Sequence, residues 1–157
     1  MDRLVDIVNY AKASCKDLGL HFTRKRQLVL THLVQSTKAL SAYELADICR
    51  INSNENLSVM SVYRILDFLA QIGIVHKLKS INGYVACCNI KEEDPNSVAI
   101  FLICRQCHRI KETHVDYAYL QHLKDATNDE QFTLSSHQIE LECQCQDCLN
   151  ATQSSAD

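Results

Sequence analysis

The stretch Ser58-Val59-Met60-Ser61-Val62-Tyr63-Arg64-Ile65-Leu66-Asp67-Phe68-Leu69-Ala70-Gln71-Ile72-Gly73, continued by Ile74-Val75-His76-Lys77-Leu78-Lys79-Ser80-Ile81-Asn82-Gly83-Tyr84-Val85-Ala86-Cys87-Cys88, decides the fold of the first half of this chain. Ser58 is placed to cap a helix. Val62, Ile65, Leu66 and Leu69 recur at three- and four-residue spacing, so one face of that helix turns inward. Gly73 can follow its end. Two extended runs come next, 74–80 and 84–88, and Asn82-Gly83 between them is a tight-hairpin signal.

Upstream of this stretch, three further helices are expected. Leu4, Val8, Ala11, Cys15 and Leu18 share helical spacing, and Gly19 can close that helix. Thr23 can cap a second helix carrying Val29, Leu30, Leu33 and Val34. Ser41 and Glu44 form a capping box for a third, with Leu45, Ile48 and Cys49 inward. Three to four helices and then a hairpin is the order of a winged helix-turn-helix, with the hairpin as the wing. The competing possibility is a small α+β core with no DNA role.

Charge separates the two halves. The chain of 157 residues has a net charge of −3, but residues 1–90 carry 11 Lys/Arg against 7 Asp/Glu. Residues 91–157 carry 5 against 12. Only the first half could approach phosphates without repulsion. The sole proline, Pro95, lies in a polar acidic run. The expected organisation is therefore 1–90 as a winged-helix domain, 91–97 as a hinge, 98–150 as a second domain and 151–157 as a tail. With 46% hydrophobic residues, a packed core is expected. No run approaches the roughly 20 apolar residues of a membrane span, and the start does not resemble a signal peptide, so a cytoplasmic protein is expected.

Downstream, strands are expected at 98–104, 109–114 and 132–142, with a helix at 116–127. An α+β unit this small needs a staple. Cys104-Arg105-Gln106-Cys107 and Cys145-Gln146-Asp147-Cys148 provide one. Two residues between cysteines let both thiolates of a pair face one ion, and two pairs make a closed tetrahedral site suited to structural Zn²⁺. Without a secretory signal, nine cysteines favour metal over disulfides. A thioredoxin-like pair would instead need a single Cys-x-x-Cys at a helix start. Cys143 is a third thiol beside the second pair and a competing ligand. Three glycines are too few for a phosphate-cradling loop. No nucleophile elbow or His-Glu-x-x-His is present, so an enzyme is not expected.

Together these segments resemble the ferric uptake regulator family over nearly the whole chain. Thr23-Arg24-Lys25-Arg26 is similar to the family's Thr-Pro-Gln-Arg. Ser41-Ala42-Tyr43-Glu44-Leu45 is similar to its Ser-Ala-x-x-Leu helix start, and Ser61-Val62-Tyr63-Arg64 to its Thr-Val-Tyr-Arg recognition helix. Cys104-x-x-Cys107, Glu112, Phe132, His137 and Cys145-x-x-Cys148 follow in the family's order. Arg24 replaces the usual proline and Ser61 the usual threonine.

The resemblance is to the zinc branch of the family. It implies His76, Cys87 and Glu112 as ligands of a second, regulatory zinc joining wing and C-terminal domain. Taken singly, His76 would read as a wing surface residue, Cys87 as a small buried one and Glu112 as a solvated strand charge. The family's histidine-rich stretch before the first Cys-x-x-Cys is replaced by Glu92–Val98 residues lacking histidine. The fourth ligand stays open among Asp94, Asn96, Cys88, His114 and water. His137 reads as a core histidine or as part of the family's other histidine–carboxylate site; His108 and His122 read as surface residues.

The resemblance further implies a zinc-responsive repressor of zinc uptake genes, with Zn²⁺ as corepressor, one structural and one regulatory ion per chain, and a homodimer, joined through 98–150 as a zinc-stapled dimerisation domain, on a palindromic double-stranded operator. Ser61, Arg64 and Gln71 fall away from the buried face of the fourth helix, with Tyr63 at its edge; Ser61, Arg64 and Tyr63 are candidates for base and backbone contacts, with Tyr43 nearby. Arg24, Lys25, Arg26, Lys77 and Lys79 are candidates for phosphates. Half-buried packing for the tyrosines and a solvated edge for the lysines are the plainer readings. The alternatives are an iron- or peroxide-responsive repressor of the same family, or a zinc-storage or thiol-redox protein.

Overall fold

The computed structural model describes residues 3–88, 97–135 and 138–153. It divides into two compact units, Met1–Ile90 and Lys91–Asp157. Most of the expected hinge (91–96) and the end of the expected tail (154–157) lie outside the described residues, as do Asp94, Asn96 and His137.

The first unit holds α1 (Arg3–Asp17), α2 (Arg24–Gln35), α3 (Ala42–Ser53), α4 (Val59–Gln71) and a hairpin of β1 (Val75–Leu78) and β2 (Gly83–Ala86). Each start is set by a side chain. Thr23 accepts from the Arg26 amide, and Ser58 from the Ser61 amide. Ser41 and Glu44 cap each other reciprocally. Exchanging such a cap for alanine costs about 0.5–2 kcal/mol. The apolar faces close on one core, in which Val29, Leu30, Leu45, Val62, Leu66 and Leu69 are fully buried. Each large aliphatic so buried contributes about 1.5–3 kcal/mol.

Three details differ from the sequence expectation. Leu18 is not on the inward face: α1 ends at Asp17, and Leu18 is exposed. The Gly19 amide bonds Lys16 O at 3.0 Å and the Leu20 amide bonds Cys15 O at 2.7 Å, the paired closure that needs Gly19 at φ +66°. On α3, Ala42 and Ala46 are buried with Leu45 and Cys49, while Ile48 is only partly covered. In the wing, Leu78 pairs with Gly83, so the connection is the four residues 79–82 rather than a two-residue Asn82-Gly83 turn. Asn82 takes the left-handed conformation at φ 47°.

Gly83 instead lies in β2, where a Cβ would sit 2.7 Å from Ala39 Cβ. That approach exists because Leu40 and Tyr84 exchange both backbone hydrogen bonds, adding a short third segment to the wing. Ala39 has no flexible end to swing aside. Gly83→Ala is therefore expected to destabilise the first unit by about 1–3 kcal/mol, read as a lower thermal unfolding midpoint.

The second unit is a three-stranded sheet of order β4-β3-β5, made by β3 (Ser97–Cys104), β4 (Ile110–Asp116) and β5 (Gln138–Cys143). The central β3 runs antiparallel to β4 and parallel to β5. Helix α5 (Tyr117–Asp129), capped by Asp116, makes the crossover. The last strand starts later than expected, and Phe132 is exposed. The expected tail is partly helix, since α6 (Gln146–Gln153) continues past the last cysteine. Among the described residues no helix is long and apolar enough to cross a membrane.

Candidate metal centre and nucleic-acid interface

Two knuckles at one end of the second unit bring four thiols together. Cys104 ends β3, and a turn through His108 at φ 60° returns the chain so that the Cys104 amide bonds Arg109 O at 2.9 Å. Cys145 stands immediately before α6, and Cys148 lies in its first turn. The parallel register of Cys104 with Cys143 and the bond from the Arg105 amide to Cys143 O (2.9 Å) hold the two knuckles side by side. Across the same gap Arg109 pairs with Asp147 at 2.6 Å and Gln144 bonds Gln106 at 2.9 Å. These exposed straps contribute little energy but fix the register of the knuckles.

The Sγ atoms of Cys104, Cys107, Cys145 and Cys148 all lie within 4.8 Å of one another, and Cys107 and Cys145 are 3.7 Å apart. A tetrahedral ion with Zn–S bonds of about 2.3 Å requires edges of about 3.8 Å. The donor set therefore fits a closed structural zinc site. Backbone N–H groups of Cys107 and then Cys145 point at Cys104 Sγ and hold that thiol down to about 5. Cys148 is pushed up to about 12, first by its hydrogen bond to Cys145 and then by burial. Four thiols at this spacing cannot all lose their protons without a cation among them, so metal uptake here releases protons. Cys143 is outside the group; its Sγ faces Leu141 O at 3.6 Å.

The wing carries two further donors. His76 lies on β1 and Cys87 directly follows β2, its amide bonded to Ile74 O at 2.8 Å. Their ligand atoms lie within 4.8 Å of each other, and Cys87 is buried. Imidazole and thiolate side by side suit zinc better than Mg²⁺ or Mn²⁺. Glu112 belongs to the second unit. It sits on β4 opposite Phe101, is buried, and has His114 Nε2 at 3.7 Å from its Oε1. Of the other fourth-ligand candidates, Cys88 Sγ accepts from Arg3 Nη2 at 3.0 Å.

On α4 the buried face is Val62, Ile65, Leu66 and Leu69, so the opposite stripe of Met60, Arg64, Asp67 and Gln71 is exposed. Tyr43, on α3, is 64% exposed, whereas Tyr63 packs partly against the core. Ser61 Oγ is 2.8 Å from Ser58 Oγ, within the helix cap. Lys77 and Lys79 are exposed on the wing, as are Arg24 and Lys25 at the start of α2. Arg24 stands 3.8 Å from Glu55. Arg26 has a different occupation. Its guanidinium stacks 3.4 Å over the Phe68 ring and donates to His21 O, tying α2 to α4.

Met60 escaped the sequence reading because its type suggests the core. Its place in the 60, 64, 67, 71 progression was the signal that it faces out.

A winged-helix unit joined in one chain to a small sheet whose four clustered thiols could hold a metal ion defines the class of two-unit winged-helix proteins with a candidate metal centre. The chain belongs to the ferric uptake regulator family, whose model matches residues 17–142. It is 34% identical over 107 residues to the zinc uptake regulation protein of Escherichia coli (strain K12), covering 68% of this chain. The match spans 61% of that relative's length, less than two thirds. Among solved structures it is similar to a zinc uptake regulator complexed with zinc and DNA, with a TM-score of 0.81 and 27% identity over 98% of this chain and 99% of that one. It is also similar to holo XcZur, with a TM-score of 0.73 and 31% identity over 92% and 98%.

Proposed function

We propose that this chain is a zinc-responsive, DNA-binding repressor that acts in the cytoplasm as a homodimer on a palindromic operator, with zinc uptake genes as its targets. The observation that carries this reading is the likeness, over 98% of the chain, to a zinc uptake regulator complexed with zinc and DNA. It works by binding, not by catalysis.

In this reading Cys104, Cys107, Cys145 and Cys148 hold a structural zinc, and His76, Cys87 and Glu112 share a regulatory one. When bound, zinc supplies a cross-link without redox chemistry of its own. His76 offers a neutral ring nitrogen, Cys87 a thiolate and Glu112 a carboxylate. Metal occupancy then governs the freedom of the reading unit. The fourth position is open to Asp94, Asn96, Cys88, His114 or water.

Arg64 reads guanine O6 and N7 in the major groove, Tyr63 and Tyr43 contact bases or backbone, and Ser61 lies at the groove-facing start of α4. Lys77, Lys79, Arg24 and Lys25 neutralise phosphates. Arg26, which also fixes α2 against α4, is a further candidate for a phosphate. A single helix reads few bases, and a two-fold dimer places two of them about 34 Å apart. The second unit offers the surface for this: α5 buries only Leu120, while Tyr119 (64% exposed), Leu123, Leu141 and Phe132 (73%) face outward.

Binding of the full chain to promoter duplexes, titrated against buffered free zinc, iron and manganese, tests the proposal. Zinc alone is expected to promote sequence-specific binding. Arg64→Ala is expected to weaken that binding about 5–150-fold while sparing zinc content and fold. A response to Fe²⁺ or Mn²⁺ would favour an iron- or peroxide-responsive repressor, and zinc binding without any duplex preference a storage or thiol-redox protein.

A further inference from the structure

We propose that Asp67 is a specificity-determining residue, its carboxylate accepting a hydrogen bond from the exocyclic amino group of a cytosine in the major groove. The inference rests on the DNA-reading role proposed for α4.

Its ground is the exposed stripe of that helix. At about 100° per residue, Met60, Arg64, Asp67 and Gln71 fall within about 60° of arc. All four are exposed, and they lie opposite the fully buried Val62, Leu66 and Leu69. The stripe holds one cation and one anion. Any groove that admits Arg64 therefore also admits Asp67.

A carboxylate there is costly unless it finds a donor. Phosphates line both rims of the groove, and stripping water from an unpaired charge is unfavourable. The groove edges of the bases decide which donor suits it. Guanine presents two acceptors and thymine one, both repelling a carboxylate. Adenine sets an acceptor, N7, beside its amino group. Cytosine presents the N4 amino donor alone. Asp67 thus favours cytosine over the other three bases.

The spacing matches. Arg64 and Asp67 are three residues apart, about 4.5 Å along the helix axis. Successive base pairs rise about 3.4 Å. The guanidinium and the carboxylate then address the same base pair or adjacent ones. Arg64 takes the acceptors of a guanine and Asp67 the donor of a cytosine within one step of it.

The test uses the zinc-loaded full-length protein and a randomised duplex library. The wild type is expected to select, in each half-site, a guanine and a cytosine no more than one step apart. Asp67→Ala should lose the roughly ten-fold preference at that cytosine and keep the guanine. Asp67→Asn should shift the preference there to adenine, because a side-chain amide pairs with adenine N6 and N7 together. Both variants should match the wild type in thermal midpoint, since Asp67 is exposed. Recovery of an unchanged motif by Asp67→Ala would overturn the proposal. So would a uniform gain of affinity for every duplex, which would mean simple repulsion of phosphates. If the wild type itself selects no motif, the DNA-reading role falls together with this one; an unchanged motif sinks this one alone.

Discussion

Cys104→Ser is expected to release the metal of the four-thiol centre and unfold the second unit. The magnitudes decide it. The buried apolar side chains of that unit, among the described residues, are Val98, Ile100, Phe101, Ile103 and Leu120, with Cys104 itself beside them. A single core in a unit this small rarely supplies more than about 3–5 kcal/mol. A structural zinc site contributes about 10–16 kcal/mol of binding energy that is also folding energy. The metal therefore outweighs the core.

A serine hydroxyl stays protonated and is a poor zinc ligand. It also gives up the charged acceptor at which the Cys107 and Cys145 amides point. Metal analysis should find one zinc fewer per chain. Light scattering should report a monomer or aggregate in place of a dimer. Far-UV circular dichroism should keep the helical signal of α1 to α4, which close on their own core. Cys143→Ser is the control. Its thiol lies outside the group, so metal content and mass should be unchanged. A Cys104→Ser protein that kept its zinc and its dimeric mass would contradict this account.

The contrast between these two cysteines explains what the sequence could disclose. Each knuckle is local: two residues between thiols fix the geometry wherever the knuckle sits. The same holds for the caps at Thr23, Ser41 and Ser58, whose acceptors reach amides three residues on. Part of what failed to show had its cause elsewhere in the chain. Asn82-Gly83 read as a turn, yet Gly83 is glycine because Ala39 presses on it from another segment. The Leu40–Tyr84 pairing behind that contact leaves no trace in either stretch alone. Arg26 shows its charge in the sequence, but not the Phe68 ring beneath its guanidinium, which comes from another helix. Leu18 kept helical spacing one residue beyond the point where Gly19 ends the helix. Residues after Cys148 are polar enough to resemble a tail, but the Leu149 amide bonds Cys145 O and Thr152 Oγ1 bonds Cys148 O, and the turn persists.

Cys87→Ser should separate sensing from folding. Cys87 is buried, but serine is nearly the same size and leaves the amide bond to Ile74 O intact, so the wing should hold despite the cost of about 1–3 kcal/mol for a buried hydroxyl. What disappears is the soft donor. His76 remains, and a carboxylate such as Glu112 is hard; that set no longer distinguishes zinc from iron or manganese. Metal analysis of the dialysed variant should give one zinc per chain where the wild type gives two, with the four-thiol site still filled. Fluorescence anisotropy at buffered free zinc should show the zinc-dependent part of operator affinity, expected at about 5–150-fold, reduced to near unity. Linkage makes the claim two-sided. Operator DNA should tighten zinc binding to the wild type by the same factor and leave zinc binding to the variant unchanged. A variant that still bound two zincs and still gained operator affinity with zinc would remove Cys87 from the regulatory site, and a zinc response would then have to arise from the four-thiol centre or from donors outside the wing.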